Sequence, residues 1–248
     1  MTRVRGDADI ASVAAVVADP ARARILLALA DGRALPASLL ASEAGVAAST
    51  ASEHLRKLLD AGFVTAHPQG RHRYYRLAGP DIGSLIETLS QLAPPVEVRS
   101  LRQGTRAEAL RSARTCYDHL AGRLGVDLFA SLLESGSIVG GDGIHRIDAD
   151  GADRLSAPGR DLAYRLTPAG RERLGRLDIP LGPPEPDGTL ALRYCVDWTE
   201  QRHHLSGAVG RALTGELFAR RWLERDGRTR AVRVTDAGRR GLQRAFGI

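Results

Sequence analysis

Apolar positions recur at a helical period through the first 62 residues and are interrupted by short polar turns. Asp19 followed by Pro20 provides a capping residue and a proline at the first helical position, so a helix is predicted from there to Gly32. A second short helix is predicted to close at Gly45, and a third keeps its apolar period over residues 48–61. The pattern therefore predicts three short helices in close succession.

Two extended segments follow, residues 63–67 and 71–77, and Pro68-Gln69-Gly70 joins them, which is typical of a β-hairpin. A further helix is predicted from Pro80 until two prolines at 94 and 95 stop it. Helix, helix, turn, helix, hairpin and helix is the order of a winged helix-turn-helix. The predicted class is mainly α with small β-hairpin wings, an α+β fold.

The rest of the chain contains an internal repeat. Residues 119–125 resemble residues 204–210, and residues 164–171 resemble residues 232–239. The second pair of segments shares a Thr, one variable residue and then Ala-Gly-Arg. A strand, a Thr cap and a helix in this order also follow the wing in other winged-helix regulators. We therefore interpret residues 105–248 as a duplicated, winged-helix-like module.

The predicted organisation has three parts. Residues 1–95 form the winged helix-turn-helix, residues 96–104 a linker, and residues 105–248 a sensor or dimerisation module with repeats at 105–178 and 189–248. A Thr-x-x-Glu capping box at Thr105 and Glu108 predicts a helix that opens the module and runs to about Gly122.

Composition narrows the class of protein. The 248 residues are 43% hydrophobic and 26% charged, which is ordinary for a soluble chain with a core and excludes global disorder and fibrous folds. Two cysteines exclude a disulfide scaffold. Since no apolar run reaches about 18 residues and no signal peptide is evident, we expect a cytoplasmic protein without a membrane partner. The net charge is +6, and almost all of the positively charged residues are arginines. This charge alone is weak evidence for a nucleic-acid partner.

Four motifs resemble one family. Residues 19–26, 48–55, 60–64 and 70–77 are similar, in order and spacing, to the ArsR/SmtB repressors. The resemblance covers about the first 93 residues. It implies a homodimeric transcriptional regulator that binds double-stranded DNA as a repressor and is released by an effector.

The third helix and the hairpin carry the predicted DNA contacts. A helix-turn-helix presents the N-terminal part of this helix to the major groove, and a basic hairpin suits the phosphate backbone or the minor groove. The predicted contact residues are Ser49, Thr50, Ser52, Glu53, His54, Arg56, Lys57, Gln69, Arg71, His72 and Arg73.

Two departures from the family pattern affect this surface. Ala47 and Ala48 stand where the family often has Ser and Gln, so one helix cap and one base-reading side chain are missing. Glu53 stands where the family often has histidine. The operator sequence therefore does not transfer from relatives.

The helix after the wing has an apolar face. Packing inside its own domain would explain that face, but it is also a natural seam for a two-fold dimer. A dimer would bind an inverted repeat whose half-sites lie about one helical turn apart. The predicted dimer face consists of Ile82, Leu85, Ile86, Leu89 and Leu92.

The effector is the open question. Neither metal site that the family resemblance implies is intact, since residues 38–44 contain no Cys or His and the dimer helix offers only Asp81 and Glu87. Instead, each repeat carries a Cys-x-Asp motif followed by histidine. The candidate metal or redox residues are Cys116, His119, Cys195 and His204.

Four interpretations of the module stay open at this point. If the two Cys/His groups meet, they would suit a soft divalent ion such as Zn²⁺, Cd²⁺ or Pb²⁺. The two cysteines could close as a redox switch, or they could be buried core residues. An organic effector could occupy a pocket lined by Tyr117, Phe129, Tyr194, Trp198 and Trp222.

Other function classes have less support. The sequence has no phosphate-binding loop, dinucleotide-binding glycine motif, HExxH or Gly-x-Ser-x-Gly, so no enzyme activity is expected. A protein-interaction adaptor built from winged helices is the alternative to a DNA-binding regulator. Steep salt dependence of DNA binding would distinguish the regulator from the adaptor.

Overall fold

The computed structural model describes residues 7–69, 72–94, 101–145, 162–227 and 229–248, and the chain falls into two units, residues 1–82 and 83–248. Among the described residues, no helix is both long enough and apolar enough to cross a membrane.

Local signals explain the helix ends of the first unit. The Asp19 carboxylate accepts hydrogen bonds from the backbone N–H groups of Ala21 and Arg22, and Gly45 ends its helix at a φ of 69°. The elements are α1 (Ile10–Val17), α2 (Pro20–Leu29), β1 (Leu35–Pro36), α3 (Ala37–Ala44), α4 (Ala48–Asp60), β2 (Val64–Gln69) and β3 (His72–Leu77).

The predicted winged helix-turn-helix is confirmed in this unit. An antiparallel sheet with strand order β1-β3-β2 forms the wing beside the helices. Ile25, Leu40, Leu55 and Leu58 are fully or almost fully buried, so the apolar stripes of α2, α3 and α4 share one core. Ala47 precedes α4 without a side-chain cap, as the sequence indicates.

The helix after the wing begins where the sequence predicts, but the next one does not. α5 spans Pro80–Leu92, and α6 spans Leu101–Ser112. The predicted helix from Thr105 to Gly122 is therefore wrong. The Thr105 hydroxyl donates to the Leu101 carbonyl inside α6 instead of capping it. The chain leaves the helix at Ser112 because the following residues pair as strands, with residues 119–121 next along the chain and through a bridge from Arg114 to the distant Ala231.

The remainder repeats one set of elements twice: a hairpin, a helix, a second hairpin and a second helix. The first copy contains β4 (Arg114–Cys116), β5 (His119–Ala121), α7 (Arg123–Glu134), β6 (Ile138–Val139), β7 (Arg165–Leu166) and α8 (Pro168–Gly175). The second contains β9 (Arg193–Asp197), β10 (Arg202–Ser206), α9 (Gly207–Ala219), β11 (Leu223–Arg225), β12 (Val232–Val234) and α10 (Asp236–Phe246). β8 (Leu190–Ala191) joins the second hairpin of the first copy. Thr167 and Thr235 cap α8 and α10 in the same way.

The two copies are interleaved rather than strung in series. α7 of the first copy packs on β10 of the second, while α9 of the second packs on β5 of the first. Gly125 and Gly210 stand at these contacts, and each approaches the histidine of the other copy. One apolar core contains residues of both copies, including Leu128, Phe129, Tyr194 and Leu213. The second unit is therefore a single body with an approximate internal two-fold relation.

Candidate DNA interface and metal centre

α4 presents a polar surface to solvent. Ser49, Thr50, Glu53 and Lys57 are exposed, opposite the buried side of the helix. Ser52 is exposed and its hydroxyl donates to the Ala48 carbonyl. Exposed hydroxyls and charges on one side of this helix are the groups that a helix-turn-helix turns toward base edges and phosphates.

Two predicted residues of α4 have partners inside the unit. The His54 side chain is largely buried, and its Nδ1 atom lies 3.6 Å from Oδ1 of Asp19. This histidine therefore faces the start of α2, and a DNA contact by His54 stays a prediction from the sequence. Arg56 is exposed and lies 3.4 Å from Asp60 one turn later, an ion pair that solvent keeps weak.

The wing extends the same kind of surface. Gln69 at the end of β2 and Arg73 on β3 are exposed. Arg71 lies outside the described residues, and for His72 only the backbone of β3 is described.

The predicted dimer face of α5 is uneven. Ile86 is buried and Ile82 and Leu85 are half-buried, whereas Leu89 and Leu92 are 38% and 63% exposed. Packing within the chain therefore covers the start of this face, and only its C-terminal end is free for a second copy.

Four ligand-type side chains meet in the second unit. The Sγ atoms of Cys116 and Cys195 and one ring nitrogen each of His119 and His204 all lie within 4.8 Å of one another. The four residues are buried, and both cysteines are free thiols. The Nε2 atoms of the two histidines are 3.2 Å apart. The two Cys/His groups that the repeat places in equivalent positions therefore converge on one point.

Strand register explains the convergence. Cys116 is paired with His119 across the first hairpin, and Cys195 is paired with His204 across the second. Residues paired across a hairpin project to the same face of the sheet, so each hairpin presents one thiol and one imidazole together. His203, the next residue along β10, projects to the other face, where its Nδ1 atom lies 2.8 Å from the Tyr164 hydroxyl.

Each histidine has an aspartate on its far side. Oδ1 of Asp118 lies 3.2 Å from Nδ1 of His119, and Oδ2 of Asp197 lies 3.9 Å from Nδ1 of His204. Both aspartates come two residues after the cysteine of their own copy. The Asp118 carboxylate is within hydrogen-bond distance, so it fixes which ring nitrogen of His119 faces the ligand and makes that nitrogen a better donor. Asp197 is too far from His204 for a hydrogen bond and acts on this ring through its charge.

An arginine of the opposite copy holds each aspartate. Nε of Arg211 lies 2.6 Å from Asp118, and Nη2 of Arg114 donates to Asp197 at 2.9 Å. Arg114 is fully buried and stacks over the Trp198 ring, whereas Arg211 is mostly exposed. Sequence reasoning missed both arginines, because nothing in the spacing around them distinguishes them from the many other arginines of the chain.

Burial and neighbouring charges set the protonation of the site. A hydrogen bond to Cys195, together with burial, raises the pKa of the Cys116 thiol well above its ordinary value. Burial lowers the pKa of His204. Burial also opposes the charged form of His119, but Cys116 and Asp118 raise the pKa of that residue to about 9. A protonated His119 can therefore donate its Nε2–H to the neutral His204.

The aromatic residues proposed for an organic pocket are engaged in packing instead. Phe129 and Tyr194 lie in the core without exposure, and Trp198 lies under the Arg114 guanidinium. Tyr117 packs on Gly83, and Trp222 packs on Gly241. This packing favours the interpretation of these five side chains as core residues.

Comparison with known proteins gives one match within the first unit and one over almost the whole chain. A family model described as a helix-turn-helix domain matches residues 17–67. The HTH-type transcriptional regulator YdfF of Bacillus subtilis, itself uncharacterised, is 36% identical over 240 residues, which cover 97% of this chain and 98% of YdfF. The chain belongs to the ArsR-like, winged HTH-type transcriptional regulators.

Other regulators share only part of the chain. The HTH-type transcriptional regulator CmtR of Mycobacterium tuberculosis is 36% identical over 88 residues, which cover 36% of this chain and 74% of CmtR. The homodimeric winged helix-turn-helix domain of Mb0332 from Mycobacterium bovis is a solved structure with 32% identity. The match covers 36% of this chain and 88% of the Mb0332 chain. Its TM-score is 0.30, so the match supports no further conclusion.

Membership of this family establishes the general function. The chain is a DNA-binding transcriptional regulator and not an enzyme, as the sequence predicts. YdfF matches both units, whereas the CmtR match is confined to about a third of the chain. The duplicated module is thus shared with one regulator of nearly the same length.

Proposed function

We propose that this regulator is a homodimeric repressor whose effector is a thiophilic divalent metal ion held by Cys116, His119, Cys195 and His204. The observation that carries the proposal is the convergence of these four buried side chains, two from each copy, on one point. We also propose a cytoplasmic location, because the partner is double-stranded DNA.

The spacing of the donor atoms fits a tetrahedral ion. With Zn–N distances of about 2.0–2.1 Å and Zn–S distances of about 2.3 Å, two nitrogens of such a site lie about 3.3 Å apart and two sulfurs about 3.8 Å apart. The histidine Nε2 atoms stand at 3.2 Å, and the whole set of ligand atoms lies within 4.8 Å. Only small shifts are needed for binding.

Charge also favours a divalent ion. Two thiolates and two neutral imidazoles around a 2+ ion give a site with no net charge, which a buried position tolerates best. The outer aspartates are already balanced by Arg211 and Arg114. Two sulfurs and two nitrogens in tetrahedral arrangement are typical of Zn²⁺, and Cd²⁺ and Pb²⁺ share the affinity for thiolate.

A thiol-redox switch is the weaker alternative. Cys116 and Cys195 are only 2% and 4% exposed, so an oxidant has little access to either sulfur. A disulfide would also make no use of two histidines with carboxylates behind them. We therefore favour the metal ion.

The proposed DNA surface consists of the exposed groups of α4 and the wing. Ser49, Thr50, Ser52, Glu53, Arg56 and Lys57 supply the major-groove side, and the exposed Gln69 and Arg73 supply the wing. We include Arg71 and His72 from the sequence alone. The dimer is supported by apolar side chains that the chain leaves exposed, Ile10 and Val13 on α1 and Leu89 and Leu92 on α5. Such a dimer binds an inverted repeat.

The test of the metal site is a titration of the reduced protein with Co²⁺, whose visible absorption reports tetrahedral thiolate ligation. We expect one ion per chain, displaced by Zn²⁺. Cys195→Ser is expected to lower the affinity at least 100-fold. Ser206→Ala is the matched control, because Ser206 is equally buried two residues after His204 on β10. Equal Co²⁺ binding by wild type and Cys195→Ser would contradict the assignment.

The test of regulation is fluorescence anisotropy with a labelled duplex from upstream of the regulator's own gene. We expect tight binding by the dimer that weakens at least tenfold with Zn²⁺ and recovers with chelator. Release by diamide, with no response to Zn²⁺, would replace the metal by the redox switch. DNA affinity that responds to neither would overturn the proposed sensing role.

A further inference from the structure

α5 contacts the hairpin that carries Cys116 and His119 at the tip of its turn. Tyr117 is one of the two turn residues between these ligands and adopts a φ of 55°. Gly83 of α5 lies directly on its ring, where an added Cβ would be 2.9 Å from Cδ2 of Tyr117. The backbone of α5 thus rests on the residue that separates a thiol ligand from an imidazole ligand.

A second contact reaches α5 from the strand side of the same hairpin. The Thr115 N–H, next to Cys116, donates to the Arg230 carbonyl at 3.0 Å. The Arg230 side chain in turn donates to Oε1 of Glu87 on α5 at 2.6 Å. Both charged groups are almost completely buried, at 7% and 4% side-chain exposure.

A buried ion pair of this kind is poor evidence for stability, because desolvation offsets most of its attraction. Its better attested use is to fix one register between two elements, since a shift leaves both charges unpaired in the interior. Glu87 and Arg230 therefore tie the position of α5 to that of the hairpin.

We infer that the Glu87–Arg230 pair and the Gly83–Tyr117 contact form a relay that transmits occupancy of the four-residue metal site to α5. This inference rests on the metal-responsive function proposed above. α5 follows wing strand β3 after only Ala78 and Gly79, so a displacement of α5 acts on the chain at the base of the wing.

The physical basis is the adjustment that an ion imposes. Ligand atoms spread over up to 4.8 Å contract to the separations of a tetrahedral site, about 3.3–3.8 Å. The contraction moves β4 and β5, which are held between the ion and α5. An ion shifts an equilibrium between two conformations only if it binds one of them more tightly. Because of the relay, the position of α5 differs between the conformation that binds the ion tightly and the one that binds it weakly.

The relay is tested by replacing its buried charges without touching a ligand. In Glu87→Met with Arg230→Met, two flexible apolar side chains of similar size replace the pair, an exchange that buried ion pairs often tolerate. The matched control is Glu224→Gln with Arg233→Gln, which removes an exposed ion pair between β11 and β12. Gly83→Ala is the second variant, because its methyl group displaces the Tyr117 ring while the charges stay.

Each full-length variant is measured in two ways: Co²⁺ affinity from visible absorption, and the ratio of DNA Kd values with Zn²⁺ and with chelator. We expect the double Met variant to bind Co²⁺ within about threefold of wild type, while its Kd ratio falls from at least 10 to below 2. Gly83→Ala should reduce the ratio at least threefold, and the control should leave it unchanged.

The outcomes separate the two proposals. A relay variant that binds Co²⁺ and retains the wild-type Kd ratio overturns the relay but leaves the metal-responsive function intact. If the double Met variant does not fold, Gly83→Ala decides by the same criterion. If wild type binds no Co²⁺, or Zn²⁺ does not change its DNA affinity, the proposed function fails and the relay fails with it.

Discussion

Asp118 and Asp197 occupy equivalent positions in the two copies, but their surroundings differ. Asp197 is fully buried, accepts from the Gly122 N–H at 2.6 Å and is paired with the buried Arg114. Burial opposes the charged form of Asp197, but Arg114 holds the pKa of its carboxyl well below the usual range. Asp118 is partly exposed and is paired with Arg211 on the surface. Asp118 can therefore be changed with little effect on folding, whereas Asp197 cannot.

Asp118→Asn is predicted to lower Zn²⁺ affinity by about 10–100-fold, because the His119 ring loses the carboxylate that orients it. The measurement is competition with a chromophoric chelator at fixed pH. Asp187→Asn is the control, since the Asp187 carboxylate forms an exposed ion pair with Arg165 and not with a ligand residue. An unchanged affinity in Asp118→Asn would show that this carboxylate does not support the ligand.

Asp197→Asn is predicted to destabilise the second unit by about 3–5 kcal/mol, since the change leaves the Arg114 guanidinium buried without a counter-charge. Urea unfolding followed by tryptophan fluorescence measures the loss. Stability within 1 kcal/mol of wild type would contradict the role given to this ion pair.

At the scale of elements, α7 and α9 each pack through a glycine against the strand that precedes them in their own copy, and the same glycine lies near the histidine of the other copy. An added Cβ at Gly125 would lie 2.6 Å from the Leu120 carbonyl oxygen, and one at Gly210 would lie 2.5 Å from the Leu205 carbonyl oxygen. These neighbours are backbone atoms of β5 and β10, so they cannot rotate away. Both positions require glycine because backbone atoms lie too close for a side chain, and not because the backbone has a positive φ.

Gly125→Ala and Gly210→Ala are predicted to cost about 1–3 kcal/mol each and to weaken Co²⁺ binding, because each pushes a helix away from a ligand-bearing strand. Gly215→Ala, also in α9, is the control: nothing lies within 4 Å of its added methyl group. That substitution should stabilise the protein by about 0.5–1 kcal/mol. Equal effects in all three variants would argue against the close contacts.

Elements with local signals were predictable from the sequence, and those set by distant partners were not. Asp19 and Gly45 mark helix ends through hydrogen bonds to neighbouring residues, and both predictions are confirmed. The strand that follows α6 pairs with β5 next along the chain, but its Arg114 also bridges Ala231, more than a hundred residues away. No local pattern contains that information.

The sequence also predicted only the local part of the candidate site. The repeat showed that Cys116 with His119 and Cys195 with His204 are equivalent. It did not show that the two copies face each other, because this depends on the crossed packing of α7 and α9. The buried partner of Glu87 was equally hidden, since Arg230 is 143 residues distant in the chain.

For the whole molecule, the unfolding of the second unit can be followed on its own. Both tryptophans of the chain, Trp198 and Trp222, belong to the second unit, so their fluorescence reports the unfolding of the module that contains the site. An ion that binds only the folded module stabilises it by mass action.

Zn²⁺ at 100 times its Kd is predicted to raise the free energy of unfolding of the second unit by about 2.7 kcal/mol. Urea titration of tryptophan fluorescence, with and without the ion, measures the difference. Chelator should reverse it, and Cys195→Ser should not show it. If Zn²⁺ does not change the urea midpoint of the wild type, the folded module does not bind the ion.

The internal duplication has a consequence for how such a sensor is tuned. When two subunits share an ion, dilution separates the ligands, and the response depends on how much protein the cell holds. Here the two Cys/His pairs are linked covalently, at an effective concentration that dilution cannot change. For the proposed sensor, the free ion concentration that half-fills the site is therefore independent of the protein concentration.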